Sequence, residues 1–225
     1  MAAARAVVFD LDGTLIDSAP DIHAAAARLL AEEGRAPLSL PVIRSFIGNG
    51  VPTLIERVIA AAGLDRADHP RLTERFMVFY DAAPADLTRP FPGVPEALST
   101  LAEAGFVLGL CTNKPESATR GVLSALGLDR FDVLVCGDSL PVRKPDPSVL
   151  DETFRRLGAD GIYVGDSEVD AETAERAVRP FALFTGGYRK TPVEAIRHDR
   201  NFADFADLPA IAMAMSAADA DEERA

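Results

Sequence analysis

This chain of 225 residues has few of the residues that support redox, thiolate or imidazole chemistry. It contains no tryptophan, two cysteines and three histidines. Cys111 and Cys136 lie in apolar runs without the spacing of metal ligands, so we predict that they are small core residues in a reducing compartment. No apolar stretch approaches the roughly 18 residues of a membrane span. We expect no signal peptide, because no long apolar region precedes Asp10. These absences favour a cytoplasmic protein without a membrane partner.

Lysine is also scarce, and acidic residues outnumber basic ones by 35 to 23. The net charge is −12, and the sequence has only three lysines, Lys114, Lys144 and Lys190. An acidic surface repels nucleic acids and anionic membranes, so neither is expected as a partner. An anionic ligand would therefore need a local cation to bind. The hydrophobic fraction of 48% is typical of a globular protein with an ordinary core.

Short continuous apolar runs recur along the chain and are typical of strands that are buried on both faces. These runs lie at 6–9, 106–111, 132–136, 162–164 and 181–184. Helical patterns with a proline near the start and a glycine at the end separate the later runs. These patterns lie at 95–105, 114–127 and 146–158. The alternation predicts an α/β fold, with a Rossmann-like parallel sheet and helices on both faces.

One interval after the first strand contains only helical patterns. They lie at 18–34, 41–48, 51–63 and 69–83. We therefore predict an all-helical cap domain at 17–88, inserted into an α/β core formed by residues 1–16 and 89–225. The acidic tail at 213–225 is rich in small residues, and we predict that it frays.

Polar residues follow the apolar runs and are candidates for one shared site. They are Asp10, Asp12, Thr112, Asn113, Lys144, Asp166 and Asp170. In open parallel sheets, ligands bind beyond the carboxyl ends of the strands, so these side chains should converge. Four carboxylates together repel one another unless they share a cation or protons. Oxygen ligands without clustered histidine or cysteine favour Mg²⁺. Thr112 and Lys144 would then bind the same anion.

Four motifs carry a resemblance to a known family. DLDGT (10–14), TNK (112–114), RKPDP (143–147) and GDSEVD (165–170) resemble, in order and spacing, the motifs of the haloacid dehalogenase-like phosphatase superfamily. Within it, FIGNGVPTLIERV (46–58) and the position of the helical insert look like those of bacterial phosphoglycolate phosphatases. The resemblance implies Mg²⁺-dependent hydrolysis of a phosphate monoester, with 2-phosphoglycolate giving glycolate and phosphate.

The resemblance also implies roles for individual residues. Asp10 would attack phosphorus and form an aspartyl-phosphate, and Asp12 would protonate the leaving oxygen and then take a proton from water. Thr112 and Lys144 would bind the phosphoryl oxygens, where charge accumulates in the transition state. The metal site is expected from Asp10, Asp12 and Asp166.

Further residues are expected around this centre. The backbone carbonyl of Gly13 is expected to join the metal ligands, and Gly13 is also expected beside the substrate. Asp170 is expected either to support the metal site or only to cap the following helix. Asn113 is expected to bind the substrate, a small phosphorylated carboxylic acid.

A glycine-rich break within the predicted cap is a candidate for recognition of that carboxylic acid. Gly48 and Gly50 flank Asn49 between two helical patterns. Glycine lets the backbone approach a ligand closely, and amides at a helix start bind anions. We therefore assign the substrate carboxylate to residues 48–50. A plain helix–helix turn is an equally good interpretation of this break.

Three alternative functions stay open from the sequence. The enzyme could be a phosphatase or phosphomutase for another small phosphorylated metabolite of the same superfamily. A signalling receiver also binds Mg²⁺ and accepts a phosphoryl group on aspartate, although receivers have no cap of this size. A catalytically inactive binding protein is disfavoured because no motif residue is missing. A homodimer is an open option for the assembly.

Overall fold

The computed structural model describes residues 5–222, with side chains to residue 216. Eight strands lie in this range. They are β1 (Arg5–Phe9), β2 (Ile16–Asp17), β3 (Arg89–Pro90), β4 (Phe106–Cys111), β5 (Val133–Val135), β6 (Asp160–Gly165), β7 (Phe181–Phe184) and β8 (Arg200–Phe202). The five predicted runs all form strands. The short pieces β2, β3 and β8 were not predicted, because two or three residues carry no periodic pattern.

Nine helices of more than one turn lie in the same range. They are α1 (Ala19–Glu32), α2 (Leu40–Phe46), α3 (Val51–Ala62), α4 (His69–Asp81), α5 (Val94–Glu103), α6 (Glu116–Leu126), α7 (Ser148–Leu157), α8 (Glu168–Arg176) and α9 (Leu208–Glu222). Three short 3₁₀ helices lie at Arg66–Asp68, Val193–Ala195 and Phe205–Asp207. Within residues 5–222, no helix is long and apolar enough to cross a membrane.

Six strands form one sheet in the order β5-β4-β1-β6-β7-β8, and all neighbouring pairs are parallel. The first strand is central, since Val7 pairs with Leu108 on one side and with Ile162 on the other. The carboxyl ends of β1, β4 and β6 therefore meet at one edge of the sheet. The predicted site residues come directly after these strands, so they lie at this edge.

The two faces of the sheet are covered by different helices. Successive side chains of a strand point to opposite faces. Val7 and Phe9 accordingly pack in a cluster with apolar residues of α5, α6 and α9. Ala6 and Val8 pack in a second cluster with residues of α7 and α8. The predicted α/β fold with helices on both faces is confirmed.

The helices α1 to α4 form a separate helical unit with an apolar cluster of its own, which includes Leu29, Ile43, Ile55 and Phe76. The chain enters this unit after β2 and leaves it before β3, and these two strands pair antiparallel. We propose the cap domain at 17–88 on this basis, because the β2–β3 ribbon lies at both boundaries.

The acidic tail begins inside α9. Ala212 and Met215 of this helix are buried in the core cluster beside the sheet. The start of the predicted tail is therefore helical and packed against the core, and fraying of the residues beyond it stays a prediction. Residues 223–225 of the predicted tail lie outside the described residues.

Candidate active site

The carboxyl ends of the central strands bring together side chains that are far apart in sequence. Asp10 follows β1, and its backbone N–H donates to Val164 of β6 at 2.9 Å. Thr112 follows β4 and Asp166 follows β6, and all three side chains are buried. Lys144 reaches the same point from the loop between β5 and α7.

The Lys144 ammonium lies among acidic and hydroxyl groups. Its Nζ atom is 2.8 Å from Asp10, 2.7 Å from Asp170 and 2.8 Å from the hydroxyl of Tyr163. Burial lowers the pKa of Lys144, but the charges of Asp10 and Asp170 outweigh this effect and hold the pKa above its usual value. The lysine is therefore charged and compensates part of the negative charge of the site.

The single positive charge of Lys144 does not balance the negative charge of three buried carboxylates. Ligand oxygens of Asp10, Asp166 and Asp170 all lie within 4.8 Å of one another. Burial raises the pKa of Asp10 to about 6, although Lys144 opposes the shift, and burial raises the pKa of Asp166 well above its usual value. Burial disfavours the ionised form of these carboxyl groups. A hard divalent cation would stabilise that form, so the cluster suits such a cation.

The backbone at Gly13 supports the fit of such a cation. Gly13 has a φ angle of +91°, and a Cβ atom there would lie 2.6 Å from Oδ2 of Asp166. A Cβ atom at Gly187 would lie 2.3 Å from both Oδ2 of Asp166 and the carbonyl oxygen of Gly13. Oδ2 of Asp166 and the carbonyl oxygen of Gly13 therefore lie close together beside Gly187, where no side chain fits. Together with Asp10 they form a donor set that suits Mg²⁺.

Asp170 is bound too completely to serve as an open metal ligand. Its Oδ1 atom accepts from Lys144 and from Tyr163, and its Oδ2 atom accepts from the hydroxyl of Ser167 and the N–H of Asp166. Asp170 and Ser167 also form the capping box of α8. Although burial raises the pKa of Asp170, its contact with Lys144 holds the pKa below the usual value. Asp170 therefore orients Lys144 and the start of α8.

The structure places the Asp12 carboxylate outside this cluster. Its two oxygens lie 3.0 and 3.2 Å from Nζ of Lys114, and the hydroxyl of Ser18 donates to it at 2.6 Å. Its carboxylate is held by Lys114 and Ser18, next to the cavity that Asp10 also lines. That Asp12 is a metal ligand stays a prediction.

Sequence reasoning missed Tyr163, which binds Lys144 and Asp170, and it also missed Lys114 and two further tyrosines. Lys114 is buried, and its Nζ atom lies 4.6 Å from the ring centroid of Tyr80 in α4. Its place in the TNK motif and the scarcity of lysine were signals that could have identified it. Tyr188 donates its N–H to Asp166 and its hydroxyl to Asp17, both at 2.5 Å. No pattern in the sequence pointed to any of the three tyrosines.

The side chain of Asn113 connects the cap to the core. Its Nδ2 atom donates to the carbonyl of Gly48 at 3.0 Å and to that of Lys144 at 3.1 Å. Its Oδ1 atom accepts from the N–H of Lys144 at 3.0 Å. This side chain therefore holds the cap loop in place, and binding of substrate by Asn113 stays a prediction.

The cap loop contributes backbone to the site. Gly48 and Gly50 line a cavity between cap and core, together with Asp10 and Thr112. The Oδ1 atom of Asn49 instead accepts from Arg57 at 3.0 Å, and Asn49 does not line the cavity within the described residues. Most of the remaining wall is apolar. These apolar residues include Ile22, Ile47, Val51, Leu54, Phe76, Met77 and Ala118.

Comparisons with known proteins identify the family and the fold. Residues 4–177 match the model of a hydrolase family described as haloacid dehalogenase-like hydrolase. A phosphoglycolate phosphatase of Cereibacter sphaeroides is 54% identical over 207 residues, which cover 90% of this chain and 95% of that protein. One from Rhodobacter capsulatus is 43% identical and covers 92% and 96%. The crystal structure of a predicted phosphoglycolate phosphatase from Haemophilus somnus has a TM-score of 0.88 at 30% identity, covering 94% of this chain and 99% of that chain.

Proposed function

This chain belongs to the haloacid dehalogenase-like hydrolase family, and from that premise we propose that it hydrolyses 2-phosphoglycolate to glycolate and phosphate. The proposal depends above all on one observation. Asp10 lies 2.8 Å from a buried lysine, inside a carboxylate cluster that faces a cavity beneath the cap. A carboxylate in this setting can act as a nucleophile towards phosphorus.

The convergence of their oxygens supports a metal site that Asp10, Asp166 and the carbonyl of Gly13 would form. Bound Mg²⁺ would neutralise charge on the phosphate ester and on the carboxylates around it. Lys144 would add its positive charge on the other side of Asp10. The hydroxyl of Thr112 would donate to a phosphoryl oxygen, where negative charge grows in the transition state.

The first step transfers the phosphoryl group to the enzyme. The Asp10 carboxylate forms a bond to phosphorus as the bond between phosphorus and the ester oxygen breaks. Asp12 enters this step in its protonated form and gives its proton to the leaving oxygen, so glycolate leaves with a neutral hydroxyl group. Ser18 and Lys114 hold the Asp12 carboxylate in place beside Asp10.

The second step releases the phosphate. Asp12 takes a proton from water, the water oxygen bonds to phosphorus, and the bond between phosphorus and Asp10 breaks. The apolar cap residues that line the cavity exclude bulk water around the reacting groups. One residue acts as acid and then as base, so the enzyme returns to its starting protonation state.

Removal of the metal is expected to lower turnover by about 10²-fold or more, because buried carboxylates repel a phosphate dianion. The measurement is phosphate release from a panel of esters, with Mg²⁺ and after exhaustive chelation. The panel includes 2-phosphoglycolate, sugar phosphates and pyrophosphate. Full turnover after chelation would contradict the metal site. Faster hydrolysis of sugar phosphates would contradict the substrate, and a single turnover would favour a receiver module.

Replacement of Asp12 by Asn is expected to slow hydrolysis of 2-phosphoglycolate by about 10²-fold, because the amide cannot protonate the leaving oxygen. An aryl phosphate has a good leaving group and should lose much less. The measurement is kcat for both substrates in Asp12→Asn and in the parent. Equal losses for the two esters would show that Asp12 is not the general acid.

A further inference from the structure

Lys114 is the one cationic side chain that lines the cavity between cap and core within the described residues. It is 6% exposed. Two of its contacts go to the oxygens of Asp12, at 3.0 and 3.2 Å. An ammonium group has three donors, so its contacts with Asp12 leave one N–H, and Tyr80 is the other close neighbour of the ammonium. The low polarity of the surrounding wall strengthens its attraction for an anion.

Tyr80 of the cap lines the same cavity and is 2% exposed. Its hydroxyl has no hydrogen-bond acceptor among the described residues. A buried donor without an acceptor is costly, and such groups in native proteins commonly await a ligand or water. Burial also raises the pKa of Tyr80, so the hydroxyl keeps its proton and can donate it in a hydrogen bond.

From these contacts we infer that Lys114 and Tyr80 together bind the carboxylate of the substrate, an inference that rests on the proposed function. The general acid Asp12 must contact the ester oxygen. The substrate carboxylate is one carbon from that oxygen, and Lys114 touches Asp12 directly. A carboxylate beside Asp12 therefore reaches the Lys114 ammonium with one oxygen and the Tyr80 hydroxyl with the other.

This subsite is an alternative to the expected binding of the carboxylate at residues 48–50. That loop offers backbone groups but no cationic side chain, and the side chain of Asn49 binds Arg57. The carbonyl of Gly48 is occupied by Asn113. The loop thus forms the wall of the cavity, and the charge and the free donor lie at Lys114 and Tyr80.

The test compares two esters with the same two-carbon skeleton, 2-phosphoglycolate and ethyl phosphate, which has a methyl group in place of the carboxylate. The ratio of their kcat/KM values isolates recognition of the carboxylate. Tyr80→Phe keeps the ring and the contact of Lys114 with Asp12, so it is the cleaner variant. Lys114→Met removes the charge and also slows both esters, because Asp12 loses a partner. Lys190→Met, at the other side of the site, is the control.

The ratio is expected to fall about tenfold in Tyr80→Phe and about a hundredfold in Lys114→Met, since these hydrogen bonds involve a charged acceptor. The ratio in Lys190→Met should match the parent. If the parent prefers 2-phosphoglycolate and both test variants keep the same ratio of kcat/KM values, the subsite is overturned and the proposed substrate stands. A parent without any preference for 2-phosphoglycolate would overturn the proposed substrate and the subsite with it.

Discussion

Asp10→Asn is expected to lower steady-state phosphate release by about 10⁴-fold or more, which corresponds to at least about 5.4 kcal/mol of transition-state stabilisation. The side-chain amide of Asn is a poor nucleophile, and the phosphorylated intermediate cannot form. The variant should fold normally. Burial disfavours the ionised form of Asp10, whose pKa is raised to about 6, so a neutral amide fits the same site.

Two measurements check this expectation. Acid-quenched protein incubated with substrate should contain a base-labile phosphate in the parent and none in Asp10→Asn. Thermal unfolding should show that the variant is as stable as the parent. Asp129→Asn, at an exposed position, is the matched control and should keep full activity. A phosphoprotein that still forms in Asp10→Asn would assign the nucleophile to another residue.

Lys144→Met is expected to lower turnover by about 10³-fold, since the phosphoryl group loses a cation that acts in the transition state. The change also removes the charge that opposes the high pKa of Asp10, so this pKa rises further and less of the nucleophile is ionised. Without metal, the free energy of unfolding should fall by about 3 kcal/mol, because the buried carboxylates lose their partner. Added Mg²⁺ should therefore stabilise the variant more than the parent.

The double variant Lys144→Met/Asp170→Asn separates charge compensation from catalysis. It removes one buried cation and one buried anion, and Asp170 is the carboxylate that Lys144 contacts at 2.7 Å. Stability without metal should recover in part, whereas turnover should stay low. Measurements of unfolding in denaturant and of phosphate release test both statements. Recovery of turnover in the double variant would contradict the direct role of Lys144 at the phosphoryl group.

Much of the site could be predicted because each of its main residues follows an apolar run. Asp10, Thr112 and Asp166 come directly after strands that are parallel and adjacent, and parallel strands end at the same edge of a sheet. The strand order itself was not needed for this prediction. The negative charge of the motif residues then predicted a bound metal ion, because carboxylates that lie close together repel each other.

The sequence could not decide which groups hold the side chains of Asp12 and Asp170. Both aspartates lie in a motif, and both were expected near the metal. The structure puts Asp170 into the cluster and saturates it with hydrogen bonds from Lys144, Tyr163 and Ser167. It pairs Asp12 with Lys114 instead. Such partners are set by side-chain packing across 26 and 102 residues of chain, which no local pattern encodes.

The sequence by itself determined the α/β core, the helical insert after the first strand and the point where the motif residues meet. These features follow from apolar periodicity and from the direction of the strands, which are local properties. Only the tertiary structure decided which cap residues face the cavity. Tyr80 lies in α4 and reaches Lys114 because the cap helices pack over the carboxyl edge of the sheet. The orientation of one unit on another depends on contacts between distant segments, and these exist only in the folded protein.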